Sequence, residues 1–273
     1  MSLKTSTLVG CAILSFLAMS IPANAQQLPL PRPIHNVAPV HTTSNKEPFT
    51  AIRVKDVPMR VLAPSDHKIV EHATAEDISI IGYFENKPLF LGNARLSFPH
   101  YGGGRNDGCT IGYGINLAWR SNADIIATLA PVIGKERAKN FLVYAGKFGN
   151  AARKLCGKQV KHTAETPHLT AAEAWKILGH EVDKRKKKVI ARAKVFKALD
   201  DMNGSMLAIM VSLDYQSPSC SSQAKTTWQK IARGQLTGAL KEIRYDCYTV
   251  AKARRKFEAT YFHNAAQQRG PAS

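Results

Sequence analysis

The sequence predicts an α+β fold that is mostly α, with a small β-hairpin lobe ahead of a larger set of helices. Residues 89–117 are rich in glycine, asparagine and aromatic residues and lack helical periodicity, which indicates short strands joined by turns. On both sides of this segment, apolar residues recur at helical spacing. The expected order is therefore one helix, the hairpin lobe, and then several helices.

The first 25 residues have the pattern of a secretory signal peptide. Lys4 supplies a positive start, residues 8–19 are apolar, and Ala23-Asn24-Ala25 is a small-x-small cleavage pattern. The apolar run is shorter than the ~20 residues that a membrane span needs. We therefore expect residues 1–25 to be removed and the mature protein to be exported, either periplasmic or secreted.

Proline content separates the next segment from the rest of the chain. Residues 26–64 hold seven of the 14 prolines and show no helical periodicity. Such a composition predicts a disordered, semi-extended linker. From residue 65 to 265 the pattern is continuous and long enough for one domain, and residues 266–273 are expected to form a flexible tail.

The first helix is predicted from near Ala73 through Tyr83, where isoleucines give apolar spacing. Pro88 cannot continue a helix interior, so Glu85 is expected at or just past the helix C-terminus.

Later helices have recognisable starts. Residues 121–124 (Ser-Asn-Ala-Asp) and 170–173 (Thr-Ala-Ala-Glu) have capping-box spacing. The apolar run at 206–213 predicts a fully buried helix, and helical spacing returns at 228–262.

Export changes the interpretation of the cysteines. Four remain after cleavage, and an even number in an oxidising compartment favours two disulfides, with three possible connectivities. Pairing of near neighbours in sequence predicts Cys109–Cys156 and Cys220–Cys247. Neither the cysteine spacings nor the nine histidines match a metal-binding motif, so we expect no metal and no cofactor.

The formal net charge of +18 favours anionic partners. In an exported protein, nucleic acid is an improbable partner, which leaves anionic lipid or an acidic cell-wall polymer. Basic residues are dense at 184–188 and 252–256. The alternative interpretation of each run is a solvated helix face.

The most informative stretch is Thr-Ile-Gly-Tyr-Gly at 110–114, because its small residues let a ligand approach the backbone of a tight strand turn. It closely resembles the signature of phage-type lysozymes and their pesticin-like relatives, which cut the glycan strands of peptidoglycan. Residues 169–174, 206–215 and 254–259 resemble other parts of that family in the same order. The resemblance implies that residues 65–265 form a lysozyme-like catalytic domain, with a cleft between the β lobe and the helical lobe.

By this resemblance, Glu85 is the general acid and Thr110 positions the attacking water. Glycoside hydrolysis needs a carboxyl that stays protonated near neutral pH, which burial favours. Phage members usually have Gly after this Glu, whereas this chain has Asn86.

Substrate-binding candidates surround the motif. They are Gly112, Tyr113, Asn116 and Tyr101, with Tyr83 and Phe98 as further aromatic residues able to stack on sugars. Core packing is the alternative for each aromatic ring. The tryptophans Trp119, Trp175 and Trp228 are expected in the core.

The second carboxylate is not evident from the sequence. Pesticin-like members have Asp where this chain has Asn116, and classical phage members have Asp where it has Gly104. Asp107 is the nearest acid and our candidate, although Asn-Asp-Gly is also a turn former. Asp214 is a more distant choice.

Because the sequence does not identify a second carboxylate, it is compatible with several functions. The chain could be a muramidase that uses Asp107, a hydrolase slowed by Asn116, or a lytic transglycosylase that needs Glu85 alone. It could also be a non-catalytic peptidoglycan- or envelope-binding protein, or a cationic membrane-active protein. We expect a monomer that binds peptidoglycan glycan strands, with no nucleic-acid partner and no stable membrane insertion.

Overall fold

The computed structural model describes residue 64 and residues 67–216, 225–245 and 251–268. The predicted signal peptide, the Pro-rich segment up to residue 63 and the predicted Cys220–Cys247 disulfide lie outside the described residues. No helix in the described ranges combines the length and apolar character that crossing a membrane requires.

Helices dominate the described part of the chain. They are α1 (Ala75–Glu85), α2 (Lys87–Phe90), α3 (Asn122–Ile133), α4 (Lys135–Lys139), α5 (Gly149–Cys156), α6 (Ala171–Val195), α7 (Gly204–Gln216), α8 (Lys225–Ile231), α9 (Leu236–Tyr245) and α10 (Lys252–Gln267). Short 3-10 turns lie at Leu142–Tyr144 and Leu199–Asp201. The predicted mostly α class is confirmed, and α10 runs two residues into the segment expected to be a tail.

The strands are short and antiparallel. They are β1 (Leu96–Ser97), β2 (His100–Tyr101), β3 (Cys109–Ile111), β4 (Ile115–Asn116) and β5 (Leu169–Thr170). β2, β3 and β4 form a three-stranded sheet in that order, which confirms a small β lobe. β1 instead pairs with the distant β5, a contact that local sequence patterns do not reveal.

Capping side chains decide where the long helices begin. The predicted boxes at Ser121/Asp124 and Thr170/Glu173 are both present, and each satisfies backbone N–H groups that the first helical turn leaves without partners. A third box, Thr74 with Asp77, starts α1. α1 ends at Glu85, as predicted.

Pro88 plays a different part from the one expected. It lies in the first turn of α2, where its missing N–H is not needed, and does not itself end α1. The side chain of Asn86 accepts a hydrogen bond from Leu89 N and so begins α2.

The core is centred on α7, which packs against α1, α6 and α10. All residues from Gly204 to Asp214 are buried, so the prediction of a fully buried helix is confirmed. Each large apolar side chain in this position contributes about 1.5–3 kcal/mol relative to exposure.

Several basic residues predicted at the surface are buried instead. Lys186 Nζ lies 2.7 Å from Asp77 Oδ2, and both side chains are fully buried. Arg254 and Arg255 are buried as well. For these three residues, both the solvated-face and the partner-binding interpretations are wrong, because each pairs with an internal carboxylate.

Candidate active site

A row of polar side chains crosses the three-stranded sheet. His100 pairs with Thr110 and Thr110 pairs with Asn116, so the three residues are cross-strand neighbours. Their strand neighbours Cys109, Ile111 and Ile115 are buried, whereas these three are partly or fully exposed. Because successive side chains point to opposite faces, His100, Thr110 and Asn116 share the outer face, with neighbouring Cβ atoms roughly 4.5–5.5 Å apart. We call these three residues the polar row.

The turn between β3 and β4, Gly112–Gly114, is held by side chains from two helix ends. Asn86 Nδ2 donates to Gly112 O at 2.9 Å, and Tyr215 Oη donates to Tyr113 O at 2.6 Å. Asn86 directly follows the last residue of α1, and Tyr215 lies at the C-terminal end of α7. The β lobe is therefore docked on the helices through the backbone of the motif.

Gly114 allows the Glu85 carboxylate to lie directly against this turn. Gly114 has φ +81°, and a Cβ at this position would overlap Glu85 Oε2. A side chain here would be both strained and in collision with the carboxylate. Asn116 is two residues further along, about 7 Å in extended chain. The Glu85 carboxylate therefore lies against the turn whose second strand carries Asn116.

Glu85 is oriented by a buried arginine. Arg254 Nη1 lies 2.5 Å from Glu85 Oε1, and the Glu85 side chain is 18% exposed. One carboxylate oxygen is therefore held by the guanidinium, while the other faces Gly114 and the hairpin.

Arg254 is itself fixed on several sides. Its Nε donates to Glu258 Oε1 at 3.1 Å and its Nη2 to Ser212 Oγ at 3.0 Å, while its guanidinium lies over the Phe84 ring. Arg255 Nη1 lies 2.5 Å from the other Glu258 oxygen. Two guanidiniums therefore balance two carboxylates inside the protein.

Burial opposes the charge on Arg254, but Glu258 and Glu85 outweigh it and hold the pKa of the guanidinium above its ordinary value. Arg254 thus remains a fixed cation.

Asp107 closes its own turn. Its Oδ2 accepts a hydrogen bond from Gly104 N at 2.6 Å, and a Cβ on Gly102 or Gly104 would lie within 2.9 Å of that oxygen. Tyr101 Oη donates to Gly104 O in the same loop. These contacts support the turn-forming interpretation, and none of them brings the Asp107 carboxylate to Glu85.

Asp214, the more distant candidate for a second carboxylate, and the amide of Asn116 are also engaged. Asp214 is buried and pairs with Arg185 and Arg192, at 3.1 and 3.5 Å. Asn116 Oδ1 accepts from Ala118 N at 3.0 Å, which orients its amide within the strand end.

The aromatic candidates divide between core and surface. Tyr113 is buried edge-to-face against Trp175, so its ring packs in the core and does not line a surface path. Burial raises the pKa of Tyr113 well above its ordinary value. Tyr101 is partly exposed. Trp175 and Trp228 are buried as predicted, but the prediction for Trp119 is wrong, since its side chain is 70% exposed.

A disulfide anchors the strand that carries Thr110. The predicted Cys109–Cys156 pair is confirmed, with Cα atoms 6.0 Å apart. It joins β3 to the C-terminal end of α5, directly beside Thr110.

Sequence reasoning did not assign a site role to Arg254 or Tyr215. The Arg-Arg-x-x-Glu spacing at 254–258 signalled a helix face, but nothing local to it indicates burial or contact with Glu85, which is 169 residues away. Only the strand register places His100 beside Thr110.

Within the described ranges, no group of three His, Cys, Asp or Glu side chains could hold a metal ion. No protein-family model matches the chain, and a comparison with curated proteins finds none that is similar in sequence.

Proposed function

We propose that this chain is a muramidase that cleaves the β-1,4 bond between N-acetylmuramic acid and N-acetylglucosamine in peptidoglycan. It would act outside the cytoplasm, since residues 1–25 have the pattern of a signal peptide. The observation that carries the proposal is the Glu85 carboxylate, fixed by Arg254 at the end of α1 and facing the turn that leads to the polar row. The domain would be lysozyme-like, with the glycan lying between the β lobe and the helices.

In this mechanism Glu85 is the general acid, and it would have to take up a proton on Oε2, the oxygen that Arg254 does not hold, before the bond breaks. The bond breaks through an oxocarbenium-like transition state, so the departing oxygen must receive a proton as the bond lengthens. Oε2 is the oxygen that faces the hairpin, while Arg254 holds Oε1. The carboxyl therefore does not have to be ordered when substrate binds.

The polar row would hold the attacking water. The Thr110 hydroxyl can both donate and accept a hydrogen bond, and it lies between His100 and Asn116. Inverting glycosidases keep a gap of about 6.5–9.5 Å between acid and base to admit this water. Such a mechanism would need room for this water between Glu85 and the polar row.

One observation favours a second candidate, a lytic transglycosylase. The polar row contains no carboxylate, and Asp107 is engaged in its own turn. A transglycosylase needs no second carboxylate, because the hydroxyl of the muramic acid displaces the leaving chain. Glu85 would first protonate the departing oxygen and then, as a carboxylate, accept the proton of the attacking hydroxyl.

The test is digestion of purified peptidoglycan, with the soluble fragments identified by mass spectrometry. We expect reducing-end muropeptides from the wild type and none from Glu85→Gln. Glu136→Gln, the same change at an exposed carboxylate on α4, serves as the matched control and should digest normally.

Anhydro-muropeptides would establish the transglycosylase instead. Equal release by wild type and Glu85→Gln, or no release by either while the protein still binds peptidoglycan, would refute the enzymatic proposal. Binding without release would leave an envelope-binding protein.

A further inference from the structure

Trp119 and Phe148 form an aromatic pair beside the β lobe, in which Trp119 is exposed and Phe148 is partly buried. Their rings meet edge-to-face with centroids 4.8 Å apart, and Trp119 is 70% exposed. An exposed apolar residue alone requires no explanation, but an indole presents a large, flat surface with few rotatable bonds. This pair is distinguished by its attachment to the β lobe that carries the polar row.

The pair is fixed to the β lobe by backbone hydrogen bonds on two sides. Gly149 N donates to Asp107 O at 3.0 Å, and Gly146 N donates to Ala118 O at 3.2 Å. Phe148 itself forms an isolated β-bridge with Gly108. The loop that carries Phe148 is therefore attached both before β3 and after β4.

Gly108 permits this close packing. A Cβ at Gly108 would overlap the side chain of Ala118 and crowd the carbonyl of Lys147. The disulfide at Cys109 ties the same strand to α5, which begins directly after Phe148. The aromatic pair thus has a supported position and is not a feature of an isolated loop.

Trp119 is close in sequence to the polar row, since it lies three residues after Asn116, beyond the end of β4. A glycan strand that passes over Thr110 and Asn116 and extends outward along this segment would meet the indole next.

The charges around the pair suit the same ligand. Arg105 and Lys147 are exposed near it, and neither forms an ion pair with a carboxylate in the described part of the chain. The stem peptides of peptidoglycan carry carboxylates, which such cations attract.

We propose that Trp119, supported by Phe148, is a stacking subsite for one N-acetylhexosamine ring of the glycan strand, outside the bond that is cleaved. The apolar C–H face of the β-linked sugar lies on the indole, and its polar edge remains in water. This subsite rests on the proposed function for its substrate class, but it predicts binding that does not require turnover.

The experiment uses the full mature chain with Glu85→Gln, which prevents turnover, and the β-1,4-linked hexamer of N-acetylglucosamine as the probe. Calorimetric titration of this parent, and of the parent with Trp119→Ala or Trp119→Phe added, gives the dissociation constants. We expect Trp119→Ala to weaken binding roughly 2- to 10-fold and Trp119→Phe to restore most of it. Val195→Ala, which truncates an exposed apolar side chain on α6, is the matched control and should bind as the parent does.

A second measurement uses the tryptophans themselves. Trp175 and Trp228 are buried, so acrylamide should quench mainly Trp119, and saturating hexamer should reduce that quenching. Thermal melting of each variant shows whether it has folded.

The subsite is refuted if the parent does not bind the hexamer, or if Trp119→Ala binds it as tightly as the parent and the hexamer leaves quenching unchanged. Peptidoglycan digestion by the wild type is measured separately. If the wild type digests peptidoglycan but Trp119→Ala leaves the affinity for the hexamer unchanged, only the subsite is rejected. If Trp119→Ala lowers that affinity but the wild type digests no peptidoglycan, only the enzymatic proposal is rejected.

Discussion

Replacing Arg254 with glutamine tests the buried charge network on which the orientation of Glu85 depends. In the wild type, the charges of Arg254 and Arg255 balance those of Glu85 and Glu258. Arg254→Gln leaves two carboxylates with one guanidinium. Breaking a buried ion pair by removing one partner costs about 3–5 kcal/mol.

The lower end of this range applies here, because Glu85 is 18% exposed and Arg255 still neutralises Glu258. We therefore expect a loss of about 3 kcal/mol in the free energy of unfolding. For a domain of this size, that corresponds to a fall of about 6–12 °C in the melting temperature. Release of muropeptides should fall as well, because Glu85 Oε1 loses the group that orients it.

Two further variants make the reasoning specific. Glu85→Gln added to Arg254→Gln restores the balance of charge and should recover part of the lost melting temperature. Arg137→Gln removes an arginine whose side chain is 47% exposed, against 6% for Arg254, and it should cost no more than about 1 kcal/mol. The assay is thermal unfolding at pH 7 by circular dichroism. Equal melting temperatures for Arg254→Gln and Arg137→Gln would refute the network argument.

Three other changes address the motif, the disulfide and the pH dependence. Gly114→Ala should sharply reduce muropeptide release, because its Cβ meets the Glu85 carboxylate, which is the proposed general acid. Gly134→Ala, also at positive φ but in open space, should cost only the backbone strain of about 1–3 kcal/mol. Replacing Cys109 and Cys156 with alanine should lower stability by up to about 4 kcal/mol, from the chain entropy of a loop spanning 47 residues, measured by urea unfolding. Burial opposes ionisation of Glu181, but Arg120 and Lys184 outweigh it and lower the pKa of Glu181 below the ordinary value of 4.5. The wild type should therefore lose stability as the pH falls below about 4.5, and Glu181→Gln should lose less over the same range because this group no longer titrates.

Each of these has an outcome that contradicts it. Equal activity of the two glycine variants would show that Gly114 does not approach the carboxylate closely. Unchanged urea midpoints with and without reductant would argue against the Cys109–Cys156 bond. Parallel stability curves for wild type and Glu181→Gln between pH 6 and pH 3 would show that Glu181 keeps its unfolded-state pKa.

Much of the secondary structure could be predicted because its causes are local. The boxes at Thr170/Glu173 and Ser121/Asp124 each act over three residues, and both form as expected. Uniform apolarity identified α7, and Glu85 lies at the C-terminus of α1, where it was expected at or just past the helix end.

The site could be predicted only in part, for a physical reason. The Thr-Ile-Gly-Tyr-Gly segment signals a tight turn, but the side chains that dock it come from elsewhere in the chain. Asn86 and Tyr215 reach the turn over sequence separations of 26 and 102 residues. The Asn86 amide has two roles that no local pattern reveals, since it both begins α2 and holds Gly112 O.

By itself, the sequence determined the elements: helix starts set by capping side chains, a buried α7, a glycine-rich hairpin, and a carboxylate at the end of α1. Only the tertiary structure decided that Lys186, Arg254 and Arg255 are internal and that Trp119 is exposed. A single basic or aromatic residue has the same local signal on either face of an element. A basic residue can be buried only where a carboxylate from a distant segment compensates its charge, as Asp77 does for Lys186 and Glu85 does for Arg254.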